Sequence, residues 1–198
     1  MGVPTIKTGP MTVEEFYAFT DTRPDNEKWE LIDGEPILNA SPSPIHQWIL
    51  GNLLVALRTR ARDLRANWAV LPGLGLRVSD INRPEPDALI IPRSGSSTDA
   101  LGRDRSDVIV AFEILSPSTE HRDLHWKRTA YTSLPSLTHY VVIAQDTIEV
   151  VVFGRDMGFA ERRLRSLDEA LDLPALGISV PLSEIYDDMD WIRQRGSK

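Results

Sequence analysis

Glu113 stands inside a run of eight residues that is otherwise apolar, Val108 to Leu115 (VIVAFEIL). A carboxylate desolvated there costs several kcal/mol unless a partner compensates it. An arginine salt bridge, or a frayed strand end open to water, would make it ordinary. Asp87 follows Pro86 and opens a second apolar run, Ala88 to Ile91, closed by Pro92. Taken alone, Asp87 reads as a turn residue after proline. If the two runs are neighbouring strands, the two carboxylates converge. Hard oxygen ligands close together are what Mg²⁺ or Mn²⁺ requires.

A cation accompanies them in sequence. Asp123, Lys127 and Tyr131 recur at helical spacing and share one stripe. The plain alternative is an exposed Asp–Lys pair of little energetic weight. Of 22 basic residues only four are lysines: Lys7, Lys28, Lys127 and Lys198. Lys7 and Lys198 lie near the termini, and Lys28 reads as part of a polar loop. Lys127 is the one placed in a central element. Lysine is a compact point charge that can also lose its proton, and arginine does neither readily. Glu30 and Glu35 flank a turn at Asp33–Gly34 and could add a carboxylate, with a solvated hairpin edge the natural place for Glu35. His46 falls on an apolar helical face near a helix start, where a satisfied core histidine is the ordinary case. His121 and His125 have the spacing of a two-histidine metal clip, without an acidic third ligand in a recognised pattern. The chain has no Walker loop, no G-x-G-x-x-G and no G-x-S-x-G.

The elements that must position these residues can be read in order. Residues 1–10 read as a flexible arm. Thr12 and Glu15 form a capping box, with Met11 and Phe16 as a hydrophobic staple, and predict a helix ending by Thr20 to Pro24. The run from Trp29 to Leu38 predicts a hairpin turning at Asp33–Gly34. Ser43–Pro44 predicts an N-cap and first helical residue. The long helix after it, Pro44 to Asn67, has Leu50, Leu53, Leu54, Leu57, Ala61 and Leu64 on one face. Arg58, Arg62 and Arg65 form a basic stripe beside that face. Leu74, Leu76 and Val78 alternate as in a strand. Residues 94–107 read as a polar, glycine-bearing, mobile loop. Val108 to Leu115 predicts a central strand covered on both faces. A cap at 116–121 leads into a helix from Arg122 to Leu134. Tyr140 to Ile143 and Thr147 to Phe153 predict a hairpin turning near Gln145–Asp146. Leu167 to Leu173 is amphipathic and an acidic tail follows. The expected fold is mixed α/β, one domain over residues 11–190 with a central mixed sheet flanked by helices and a tail at 191–198.

Taken in order, MTVEEF, WELIDGE, SPSPIHQWILGNLL, PEPDALII, FEILSPSTEHRDLHWKRTAY and HYVVIAQ resemble the Uma family of endonucleases, within the PD-(D/E)XK, restriction-endonuclease-like superfamily. The match spans about Met11 to Asp146, and more loosely PLSEIYDD. The resemblance implies that Asp87 and Glu113, with the backbone carbonyl of Ile114, hold a divalent metal, Mg²⁺ or Mn²⁺. It implies hydrolysis of DNA phosphodiester bonds. The motif position that usually carries lysine is Leu115 here. The resemblance implies that a lysine from the next helix, Lys127, replaces it. Glu30 is implied as a holder of a second ion or of water, and His46, Asp123 and Tyr131 as supporting residues.

Composition sets the outer bounds. The chain has 198 residues, so one domain is expected. Its lack of cysteine excludes disulfides, thiolate metal sites and thiol nucleophiles. No apolar run is long enough to span a membrane, no secretory signal is evident, and the expected location is the cytoplasm. No organic cofactor is indicated. The net charge of −7 argues against bulk attraction to phosphate. Yet residues 166–192 hold seven acids (Asp168, Glu169, Asp172, Glu184, Asp187, Asp188 and Asp190) and no Arg or Lys, so the remaining chain is neutral. Arg58, Arg62 and Arg65 then form a candidate phosphate-facing surface, with a solvated helix face as the alternative. A homodimer is expected on functional grounds, because cutting a duplex takes two sites. Two other readings stay open. One is a nuclease fold without catalysis that binds nucleic acid or a partner protein. The other is a glycoside hydrolase using Asp87 and Glu113 as acid and base, which the low aromatic content of 7 % disfavours.

Overall fold

A computed structural model describes residues 9–93, 102–115 and 122–189, with the side chains of 122–124 outside the description. The arm and tail expectations, most of the 94–107 loop, the cap at 116–121, His121 and the side chain of Asp123 thus lie outside the described residues. Helix α1 (Val13–Thr20) starts on the capping box read from the sequence. Thr12 Oγ1 accepts from Glu15 N–H at 3.3 Å, and a Glu15 carboxylate oxygen accepts from Thr12 N–H at 2.9 Å. Strands β1 (Lys28–Ile32) and β2 (Glu35–Asn39) form the expected hairpin. Asp33 and Gly34 both have positive φ, 49° and 78°, as a two-residue primed turn requires. A Cβ at Gly34 would also stand 2.1 Å from Pro10 Cβ. The hairpin leans on the chain at Arg83, exchanging backbone hydrogen bonds with it through Leu31.

Helix α2 (Pro44–Asp63) is capped by Ser43, whose hydroxyl accepts from His46 N–H. It ends four residues earlier than the periodicity predicts, because Arg65 turns left-handed at φ 49°. The chain then enters strand β3 (Trp68–Pro72), which buries Trp68 and was not anticipated. The buried face of α2 is also rotated from the expected one. It comprises Ile49, Leu53, Ala56, Leu57 and Ala61, while Leu64 is 55 % exposed. The alternation at Leu74–Val78 yields only a two-residue strand, β4 (Gly75–Leu76). It pairs in parallel with β6 (Asp104–Arg105), so the end of the expected mobile loop is held in place. Between them in sequence lies β5 (Ala88–Pro92).

The central sheet has six strands in the order β10–β9–β8–β7–β5–β3. Its middle strand β7 (Val110–Leu115) runs parallel to β8 (His139–Ala144), and the connection between them contains α3 (Arg122–Thr132). Strand β9 (Val150–Gly154) completes the expected hairpin, with a longer turn than predicted because Tyr186 Oη reaches Ala144 O and Glu149 O and braces its two ends. Strand β10 (Glu161–Leu164) forms one edge. Strands β11 (Ala170–Leu173) and β12 (Ile178–Pro181) make a separate hairpin, followed by the short helix α4 (Leu182–Ile185).

Strand alternation sorts β7 between two cores. Val110, Phe112 and Ile114 join the cluster that contains α2, β11, β12 and α4. Ala111 joins the other cluster, with Tyr131 of α3, Leu134 and Leu137. Glu113 shares the side of Ala111 by the two-residue period, and so faces α3. That phase sends a carboxylate toward the helix that carries Lys127.

Candidate active site

The register of β5 and β7 pairs Ala88 with Phe112, and one step further sets Asp87 opposite Glu113. The two apolar runs are therefore neighbours, and their carboxylates meet at one end of the sheet. Asp87 is fixed by the protein around it. Its Oδ2 accepts from the backbone N–H of Ile114 at 2.7 Å and lies 3.1 Å from His46 Nε2. The N–H of Ile114, rather than its carbonyl, makes this contact. Lys28 Nζ stands 3.7 Å from the other oxygen, Oδ1, outside hydrogen-bond distance.

Glu113 is held from α3. Its Oε1 accepts from Lys127 Nζ at 2.9 Å and from the Tyr131 hydroxyl at 2.7 Å. Lys127 and Tyr131, one helical turn apart, both reach it, as their shared stripe predicts. Lys127 also donates to Glu30 Oε1 at 3.2 Å, and that same oxygen accepts from Glu85 N–H at 2.7 Å. Glu30 is 5 % exposed whereas Glu35 lies on the solvent side of the hairpin. Of the two glutamates flanking the turn, only Glu30 therefore enters the site. Leu115 lines the same cleft.

Burial and neighbours set the protonation states. Burial pushes the Glu113 carboxyl up to about 7, against the pull of Lys127, with Asp87 and Glu30 adding repulsion. Asp87 is also opposed by burial, but His46, Lys28 and the Ile114 N–H outweigh this and hold its pKa below the usual value. Glu30 is lowered in the same way, with burial outweighed by Lys127 and the Glu85 N–H. Burial alone would lower Lys127, yet Glu113 and Glu30 overcome it and keep the ammonium charged well above the ordinary lysine range. The Tyr131 hydroxyl is raised by burial and by Glu113, so it stays protonated as a donor.

Glu30, Asp87, Glu113 and Lys127 line a cleft of about 610 Å³ whose walls also include Lys28, His46, Gln145 and Glu85. Four carboxylates (Glu30, Glu85, Asp87 and Glu113) face the cations of Lys28, Lys127 and Arg83. Among the described residues no three His, Asp or Glu side chains are grouped as a ready metal cage. The donor chemistry nonetheless fits Mg²⁺, which keeps several waters and takes one or two carboxylates from a protein.

Lys28 and Glu85 were missed in the sequence. The polar sequence around Lys28 predicts a loop, but Lys28 begins β1 and lies two residues before Glu30, on the same strand face. Glu85 stands two residues before Asp87. The same i, i+2 relation to an already chosen acid was the available signal for both. The other expectations separate in space. Arg58 and Arg62 are exposed on α2, and Arg58 lies about 18 Å along the helix axis from His46. Arg65 is exposed beyond the helix end. His125 is exposed on α3.

A mixed sheet with a parallel β7–β8 pair, helices on its faces and paired carboxylates at one strand end is the restriction-endonuclease-like architecture. A crystal structure described as "a putative nuclease belonging to DUF820 from Anabaena variabilis ATCC 29413" shares this fold, with a TM-score of 0.71 at 17 % identity, covering 92 % of this chain and 99 % of that one. No curated protein gives a significant match to the chain. The family model Uma2, described as "Putative restriction endonuclease", matches residues 13–183, and the chain belongs to that family. Among the described residues no helix is long and apolar enough to cross a membrane.

Proposed function

We propose that the protein is a metal-dependent endonuclease that hydrolyses phosphodiester bonds of DNA. The observation that carries this reading is the opposition of Asp87 and Glu113 across β5 and β7, with Lys127 2.9 Å from Glu113. Asp87, Glu113 and the Ile114 carbonyl would hold Mg²⁺ or Mn²⁺. When bound, such an ion polarises a phosphoryl oxygen and lowers the pKa of water.

The chain's own residues then have separable roles. His46 and the Ile114 N–H fix the orientation of Asp87. Tyr131 and Lys127 fix Glu113, and the Lys127 charge favours its ionised form. Lys127 also supplies positive charge where negative charge develops on the phosphoryl group. Glu30 holds Lys127 in place and offers a further carboxylate at the cleft. The side chain of Asp123 would support the site from the start of α3. Arg58, Arg62 and Arg65 would meet phosphates of a duplex that extends past the cleft. Cutting both strands of a duplex would take two such sites, hence a homodimer, which sedimentation at working concentration tests.

The main test is incubation of purified protein with plasmid and linear DNA in Mg²⁺ or Mn²⁺, beside titration calorimetry with each metal. Cleavage that EDTA stops is the expected outcome. No cleavage together with no metal heat would sink the enzyme reading and leave a binding module.

A further inference from the structure

Two clefts meet at Lys28. Beside the active-site cleft lies a second of about 490 Å³, walled by α1, residues 20–27 and β1. Lys28 and Glu85 line both. A chain substrate seated over Asp87 and Glu113 must leave the active-site cleft, and this shared wall marks a way out.

The second cleft is lined with charges, and its acids are largely engaged. Asp21 accepts from Arg103 at 2.7 Å, Glu27 from the Trp29 indole N–H at 2.8 Å, and Glu85 from Arg83 at 3.1 Å. Two of its cations are not so committed. Arg23 lies over the Phe19 ring at 4.3 Å and has no ion pair with a described residue. The Lys28 ammonium stands 3.7 Å from Asp87 and 3.8 Å from Glu85, beyond hydrogen-bond distance from both, with its side chain 34 % exposed. Lys127 differs on each count. It is buried and already donates to Glu113 and Glu30. Of the two lysines at the site, Lys28 is the one that donates no hydrogen bond to a described residue, so its donors are open to a ligand.

We propose that the second cleft is a subsite for the nucleic-acid strand flanking the scissile phosphodiester, and that Lys28 grips the flanking phosphate at the seam between the clefts. The proposal rests on the nuclease reading above. A point-charge cation suits a phosphate that must slide through and leave. Trp29 in the same wall is only half-buried and adds aromatic surface beside the strand's path.

The test measures binding, so that it stands apart from cleavage. The probe is a labelled oligodeoxythymidylate of about ten nucleotides, within the usual span of a single-strand site. The host is the Glu113→Gln protein. Lys28→Ala and Arg23→Ala in that host should each weaken binding and reduce the slope of log affinity against log salt by about 0.7. Lys28→Arg should restore the slope. An unchanged slope in both alanine variants overturns the proposal, whether or not the wild type cuts DNA. If the wild type neither cuts DNA nor gives metal heat while the slopes fall, the subsite stands as a strand-binding cleft and the enzyme reading fails. Should Lys28→Ala fail to fold, Arg23→Ala, at an exposed turn, decides the matter alone.

Discussion

At the N-terminal end of α2, His46 turns inward to Asp87, 3.1 Å away, beside carboxylates and lysines gathered from β1, the segment before β5, β7 and α3. At the other end, Arg58 and Arg62 point to solvent, and among the described residues Arg62 pairs only with the adjacent Asp63, itself exposed. Between these extremes Arg60 holds Glu184 with two hydrogen bonds of 2.8 and 2.9 Å, tying α2 to α4. One helix thus carries charge in three settings. Charge at the buried end is desolvated, and each group depends on its partners. Charge at the exposed end is already satisfied by water. Convergence and burial, rather than the number of charges in a stripe, mark the end where chemistry is possible.

The largest effects are expected at the buried end. Alanine at Asp87 or Glu113 should lower metal-dependent cleavage by about 10³-fold, the scale of losing one preorganised charge-stabilising group. Circular dichroism should show the fold intact. An effect below tenfold would equate the two ends of the helix and break the comparison. Next comes Lys127→Met, which strands Glu113 and Glu30 without their cation. Breaking a buried ion cluster in this way costs about 3–5 kcal/mol, measurable by urea unfolding.

The third effect is a pH dependence of stability in the presence of chelator. The Glu113 carboxyl releases its proton near 4.5 when unfolded and near 7 when folded. Between those values the folded state holds more protons, so stability falls as pH rises. Glu113→Gln removes that dependence. The melting temperature of the variant relative to wild type should therefore climb between pH 4.5 and about 7. Asp87 and Glu30, whose values are lowered, act in the opposite sense and only at more acid pH. The smallest effects belong to the far end. Glu184→Gln should cost less than about 1 kcal/mol, as exposed ion pairs do. Alanine at Arg58, Arg62 or Arg65 should each change stability by no more than about 0.5 kcal/mol. The triple variant should reduce the salt dependence of duplex binding if the stripe meets phosphate, and leave it unchanged if water alone satisfies it.

Much of this was legible in the residues themselves. The capping box at Thr12 and Glu15, the turn at Asp33–Gly34, the cap at Ser43 and the apolar run of β7 are local signals, each fixed by a few neighbouring residues. The choice of Glu113 came from a cost that a sequence displays directly, a carboxylate among apolar residues. What failed depended on distant partners. Arg65 turned the chain and ended α2 early, and Trp68 gained a place in the sheet that no local period announces. The buried face of α2 is ambiguous in sequence because several leucines fit more than one stripe, and the sheet beneath selects Ile49 and Ala56.

The sequence by itself determined which residue types were present to do chemistry: two carboxylates on apolar strands, a lysine and tyrosine one turn apart, and no thiol. Tertiary structure alone decided which of them meet. The strand register sets Asp87 opposite Glu113, and the two-residue period of β7 turns Glu113 toward α3 rather than α2. Lys28 enters the site only because a separate hairpin, bonded to the chain at Arg83 through Leu31, carries it to within 3.7 Å of Asp87. Local geometry is written in short spacings, whereas the meeting of charges from distant segments is set by how apolar faces are buried, which no single segment encodes.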